Sequence, residues 1–189
     1  MNNIYLGSDW HFSRFRKKTK SMKYDFVRSK DILSKYKTLV DNDDLFIFLG
    51  DLSYVGQKNT GSINNCLESI KYLPGKKIFI RGNNDEASRK YYKNLGFDLV
   101  ETSLVVDDVL FTHIPKEVKG NMINIHGHIH GSGTYWDCEP HNHVDCFTGL
   151  FAQYPIKLEP LLFNGKYIDK SLLTDSFFDS LKKHLFELV

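Results

Sequence analysis

The sequence predicts a mixed α/β protein, and three features carry that expectation. Short, continuous apolar runs stop abruptly at Ser-Asp, Gly-Asp or Gly-Asn pairs. Stretches with helical periodicity separate those runs through the first half, and the second half is mostly strand-like. Strands that are apolar throughout are buried on both faces, so their sheet lies between other layers.

Taken in order, Asn3–Gly7 is the first run and stops at Ser8-Asp9. From about Lys20 to Val40, Met22, Phe26, Ile32, Leu33, Tyr36, Leu39 and Val40 recur at roughly helical spacing. Leu45–Leu49 is too short for a typical helix and ends at Gly50-Asp51. Ile63–Tyr72 reads as a helix closed by Pro74-Gly75, and Lys77–Arg81 as a strand ending at Gly82-Asn83. Asp85–Asn94 predicts another helix, with Gly96 as its terminator. Leu99–Val100, Leu104–Val106, Val109–Thr112, Met122–Ile125 and His143–Phe147 are short β-like pieces. Two apolar runs about Asn164-Gly165, within Leu161–Ile168, predict a hairpin, and Leu172–Leu188 a closing amphipathic helix. Without a repeat, low-complexity stretch or linker, residues 1–189 are expected to form a single domain.

Composition narrows the function classes. Hydrophobic residues make up 41% of the 189 and charged residues 25%, ordinary values for a globular chain. No apolar run approaches the roughly 18 residues that span a bilayer, and MNNIYLGSDW lacks the pattern of a secretory signal. Three cysteines are too few for a disulfide framework, so a reducing cytoplasm and no membrane partner are expected. The net charge of +2 names no partner, but Arg14, Arg16, Lys17, Lys18 and Lys20 cluster. Such a run is either a solvated loop or an anion-attracting lip.

The polar residues past the strand ends carry the chemistry. Asp9 and His11 follow the first strand, Asp51 the second, and Asn83 the third. His113 follows Phe111-Thr112, and His128 with His130 close Gly127-His128-Ile129-His130. Carboxylate, imidazole and amide oxygen suit Mn, Fe, Zn and related ions. Ligand sites in such sheets lie just past strand ends. A single Asp-x-His or Gly-Asp means little, whereas five motifs in this order, each ending a strand, point to a metal site.

The motifs Asp9-Trp10-His11, Gly50-Asp51, Gly82-Asn83-Asn84-Asp85, His113 and Gly127-His128-Ile129-His130 resemble those of the calcineurin-like metallophosphoesterase superfamily, over roughly residues 3–160. The wording around them looks most like compact bacterial and phage members. The resemblance implies a layered α/β/β/α sandwich with mixed sheets, with the C-terminal segment 161–189 outside the motif core. It also implies two divalent transition-metal ions (Mn, Fe, Ni, Co or Zn). Asp9, His11 and His130 would hold one, Asn83, His113 and His128 the other, and Asp51 would bridge them. A hydroxide between the ions would attack a phosphomonoester or phosphodiester, a nucleotide among the expected substrates. Asn84 and Asp85 are the catalytic candidates of the third motif.

Two departures from the family pattern bear on the substrate. Family members usually carry a histidine, thought to protonate the leaving group, where this chain has Asn84, and an amide holds no titratable proton near neutral pH. Three readings stay open: a leaving group good enough to depart unaided, a proton from His126, His141 or His143, or metal and phosphate binding with little turnover. Relatives often continue the first motif with Phe-Gly-His, where this chain has Phe12-Ser13-Arg14. Arg14 and Arg16 are therefore candidate phosphate contacts, since guanidinium forks suit phosphate oxygens, and Arg81, just before Gly82, either serves similarly or pairs with a carboxylate at its strand end. A nuclease acting on polynucleotide is a further reading, which the basic run permits. Cys138, His141, His143 and Cys146 lie close together, but their spacing matches no common structural zinc pattern. Trp10, Phe12, Tyr54 and Trp136 flank the motifs and are candidates for stacking on a base.

Overall fold

A computed structural model describes residues 2–12, 22–53, 61–132, 141–147 and 154–189, and for 22–26 and 61–64 the backbone alone. Four parallel strands, β1 (Ile4–Gly7), β2 (Leu45–Phe48), β3 (Lys76–Ile80) and β4 (Leu99–Glu101), form the first sheet in the order β4-β3-β2-β1. The helices α1 (Met22–Leu39), α2 (Gly61–Glu68) and α3 (Arg89–Asn94) link successive strands. Because each step moves to the next strand in the same direction, crossovers of one hand put all three helices on one face. There they cover Tyr5, Phe46, Phe48, Phe79 and Val100 with Ile32, Tyr36, Leu67 and Tyr92.

The other face carries the alternate residues Ile4, Leu6, Leu45, Ile47, Ile78 and Ile80. These pack against a second sheet of β5 (Ser103–Val106), β6 (Val109–Thr112), β7 (Ile123–His126) and β8 (His143–Asp145), through Val109, Phe111, Ile123, Ile125 and Val144. The first sheet gains an antiparallel edge, β9 (Ile156–Lys157), paired with β1. In the second sheet β5 runs antiparallel to β6, while β6, β7 and β8 are parallel. Both sheets are thus mixed, and helices flank them. Helix α4 (Leu158–Asn164) lies against β1 and β9, and α5 (Asp175–Glu187) against β5.

The structure corrects the expected hairpin about Asn164-Gly165. Leu158, Leu161 and Leu162 fall at i, i+3 and i+4 and enter the core between the sheets, which favours helix α4. Pro160 sits in its first turn, where a missing N–H removes no intrahelical bond. Helix α3 starts four residues later than expected, at Arg89, where the Ser88 hydroxyl accepts the Tyr91 N–H at 3.2 Å. Helix α5 likewise begins at Asp175, capped by Thr174, whose Oγ1 accepts the Phe177 N–H at 3.2 Å. The helix expected over Ile63–Tyr72 ends at Glu68 and tightens into a 3-10 turn over Ser69–Tyr72. Strand β9 had no signal of its own, being two residues long.

Candidate metal centre

Past the ends of β1, β2, β3, β6 and β7 the chain turns sharply, and the metal-ligand candidates sit on those turns. Seven non-glycine residues among those described have positive φ, and five of them are Asp9, His11, Asp51, His128 and His130. Such backbone is rare outside glycine and costs of order 1–3 kcal/mol per residue. Its concentration here means that the surrounding structure holds these side chains in place against local preference. Gly50, at φ +85°, lets the second turn reach Gly82, which in turn lies against Asp51 too closely for any side chain.

Two groups of potential ligand atoms result. Asp9, His11 and His130 form one, and Asp9, Asp51 and His113 the other, each with its atoms within 4.8 Å of one another. In the first, Asp9 Oδ1 lies 3.1 Å from His130 Nε2 and 3.5 Å from His11 Nε2, and the two nitrogens are 3.2 Å apart. In the second, His113 Nε2 lies 3.4 Å from Asp51 Oδ1. It also lies 3.0 Å from Asn83 Oδ1 and 3.2 Å from His128 Nδ1. Ligands at about 2.0–2.2 Å from one ion stand about 3.0–3.5 Å from each other, so these spacings fit a bound cation.

The side chains are also held as ligands need to be. His113 Nδ1 donates to the Leu49 carbonyl at 2.7 Å, which turns Nε2 toward Asn83 and Asp51. The His128 N–H donates to Asp9 Oδ2 at 3.0 Å, joining the first motif to the last. Asp9 Oδ1 is buried with no hydrogen-bond donor in bonding geometry, an open acceptor suited to a cation. Burial pushes the Asp9 carboxyl up, but the facing His11 and His130 imidazoles hold it well below the usual carboxylate range. Asp51 is lowered in the same way, its burial outweighed by His113. Burial lowers His128, and the neighbouring His113 lowers it further.

The third-motif residues act on the backbone and on Asp51. Asn84 donates its side-chain amide to Asp51 Oδ2 and its backbone N–H to Oδ1 at 3.0 Å. Asp85 is buried, and its carboxylate accepts the N–H groups of Asp51 (2.7 Å), Gly82 (2.7 Å) and Leu52 (3.1 Å). Burial pushes its pKa up to about 6 against the pull of those donors. The Arg81 guanidinium donates to the Asp85 carbonyl at 2.8 Å from Nη2 and 3.2 Å from Nε. Arg14 and Arg16 lie outside the described residues, as do Tyr54, Trp136 and Cys138.

Several side readings change. Trp10 and Phe12 are not available to stack on a base, being 1% and 0% exposed in an aromatic cluster with Tyr36, Phe46 and Phe48. His126 and His143 are buried with ring centroids 5.6 Å apart, and burial lowers His126 to about 4, so it is neutral at pH 7. Two supporting residues carried no sequence signal. The Arg28 guanidinium donates to the Trp10 carbonyl at 2.6 Å, between the ligand candidates Asp9 and His11. Asp145 accepts the Gly131 N–H at 2.7 Å and the Phe147 N–H at 2.9 Å, and burial raises its carboxyl to about 7.

The family model for calcineurin-like phosphoesterases matches residues 3–179. This chain belongs to that family. The match spans every motif described above and reaches into α5. An uncharacterized protein of Methanocaldococcus jannaschii is 32% identical over 94 residues, 48% of this chain and 51% of that protein. The matched segment thus spans about half the length of that relative. Among solved structures, a protein of unknown function from Aquifex aeolicus aligns with a TM-score of 0.54 at 19% identity, covering 83% of this chain and 96% of the other. The nuclease MPE of Pseudomonas putida aligns with a TM-score of 0.52 at 21% identity, covering 67% of this chain and 61% of the nuclease. Both share with this chain its fold of two mixed sheets flanked by helices. Among the described residues, no helix is long and apolar enough to cross a membrane.

Proposed function

We propose that this member of the calcineurin-like phosphoesterases hydrolyses phosphate esters with two divalent metal ions. The supporting observation is the spacing of potential ligand atoms in two adjoining groups, with Asp51 Oδ2 3.8 Å from His11 Nε2 and Asp51 Oδ1 3.4 Å from His113 Nε2. Asp9, His11 and His130 would hold one ion, Asn83, His113 and His128 the other, and Asp51 would stand between them. When bound, such ions polarise a phosphoryl oxygen and make water a nucleophile at neutral pH. The protein's own part is to fix that geometry. His113 is oriented through Leu49, Asp51 is oriented by Asn84, and the left-handed turns set Asp9, His11, His128 and His130 before substrate arrives.

Asn84 bears on the substrate class. Its amide can orient Asp51 or donate a hydrogen bond to a phosphate oxygen, but it cannot protonate a leaving group. General acid catalysis is worth about 10²–10⁴-fold, a contribution that matters most for alkoxide leaving groups. This favours a diester, nucleotide or aryl ester over an alkyl monoester. Arg14 and Arg16 remain the proposed phosphate contacts. Arg81 and Asp85 are assigned to bracing the third motif, since their polar groups meet the backbone there.

The deciding assay compares bis-p-nitrophenyl phosphate with p-nitrophenyl phosphate on metal-stripped protein reloaded with Mn²⁺, Ni²⁺ or Zn²⁺. Metal-dependent turnover that is lost in Asp51→Ala is the expected result. Two ions bound per chain without turnover of either ester would favour a metal- and phosphate-binding role instead.

A further inference from the structure

Among the acidic and imidazole side chains of the two groups, His130 is the outlier in exposure. Its side chain is 37% exposed, against 5% for His11, 3% for Asp51, 2% for His113 and 0% for Asp9. The buried ligands are held on every side by packing. His130 instead sits at φ +52° and is followed by Gly131 at φ +70°, two successive left-handed residues on an open turn. A left-handed conformation at a non-glycine residue is strained, and relaxing it would shift the imidazole relative to Asp9.

One carboxylate opposes this from two directions. Asp145, the last residue of β8, accepts the Gly131 N–H through Oδ2 at 2.7 Å, which ties down the peptide just after His130. Its Oδ1 accepts the Phe147 N–H at 2.9 Å. The Phe147 ring then packs on the His130 imidazole, with ring centroids 4.7 Å apart and planes at 40°. Both oxygens are needed, one for the backbone of the turn and one for the ring beside the ligand. An amide at this position offers one acceptor and turns N–H groups toward the other donor.

We propose that Asp145 is a positioning residue that sets His130 as a metal ligand, through the Gly131 N–H and the Phe147 ring. This rests on the reading that His130 holds an ion. Metal ligands depend on the groups that orient them, and loss of such a group typically lowers affinity about 10–100-fold.

The test is calorimetric titration of the metal-stripped 189-residue chain with Co²⁺, together with the visible spectrum of the loaded protein. Wild type, Asp145→Asn, His130→Ala and the double variant are compared, with Asp107→Asn as a control at the clamp between α5 and the β5–β6 turn. The expected result is that Asp145→Asn weakens one of two binding events about 10–100-fold, spares the other, and alters the Co²⁺ spectrum. The double variant should bind no more weakly than His130→Ala, because both changes act through one ligand. Unchanged binding in Asp145→Asn would overturn the proposal, as would equal weakening of both events or fully additive losses. If Asp145→Asn does not fold, Asp145→Glu, which keeps both carboxyl oxygens but displaces them, is read by the same criteria. Wild type that binds no ion would overturn the proposed function as well, whereas a normal pair of events in Asp145→Asn would overturn the Asp145 role alone.

Discussion

The Asp85 carboxylate accepts the backbone N–H of Asp51 at 2.7 Å across 34 residues of sequence. With the same group it accepts Gly82 and Leu52, so one buried side chain fixes the turns after β2 and β3 against each other. Asn in its place keeps a single acceptor oxygen and leaves a buried N–H facing an NH₂ group. Asp85→Asn is therefore expected to cost about 1–3 kcal/mol in urea denaturation and to weaken metal binding. Wild-type stability and affinity would reduce Asp85 to a bystander.

Asn84 gives a prediction about leaving groups. Asn84→His introduces a group able to deliver a proton, worth up to about 10²–10⁴-fold where the leaving group needs one. Turnover of an alkyl phosphate should rise more than turnover of a p-nitrophenyl ester, whose leaving group departs unaided. Equal changes for both substrates would show that residue 84 acts on Asp51 and not on the departing oxygen.

Helix α4 can be checked through Leu162, which is fully buried between the sheets. Leu162→Ala should destabilise the fold by about 2–5 kcal/mol through lost burial and a residual cavity. Phe163→Ala, half-exposed one residue further on, should cost much less. Equal costs would contradict the helical register.

Asp44 supplies the acid limb of stability. Burial opposes its charge, but the N–H groups of Asp41 and Asn3 outweigh it and hold its pKa below the ordinary value. A depressed carboxylate stabilises the fold fully above its unfolded pKa of about 3.9, and that contribution fades as pH falls through the lower folded value. Asp44→Ala should thus be less stable than wild type at pH 7, and the gap should narrow below about pH 4. Urea midpoints measured from pH 7 to pH 3 would show a constant gap if the carboxylate were unimportant.

Much of the site was legible because strand ends advertise themselves. The apolar runs ending at Asp9, Asp51 and Asn83 are visible as text, and so is the Gly-His-x-His pattern ending at His130. The Asn164-Gly165 pair misled because the same dipeptide that suits a tight turn also follows a helix, and Leu158, Leu161 and Leu162 decide between them. Asp145 and Arg28 gave no signal, since a carboxylate that accepts a distant N–H looks like any other until the chain is folded.

The class of fold, the family motifs and the types of atom offered to a metal follow from residue type and local spacing, on which burial and ligand chemistry depend. Tertiary structure alone decided which of those atoms face one another. Asp9 and His130 are 121 residues apart in the chain yet 3.1 Å apart in space. Their meeting depends on two sheets packed face to face and on left-handed turns at Asp9, His128 and His130. Those turns are held by contacts from elsewhere in the chain, so no local stretch of sequence encodes them.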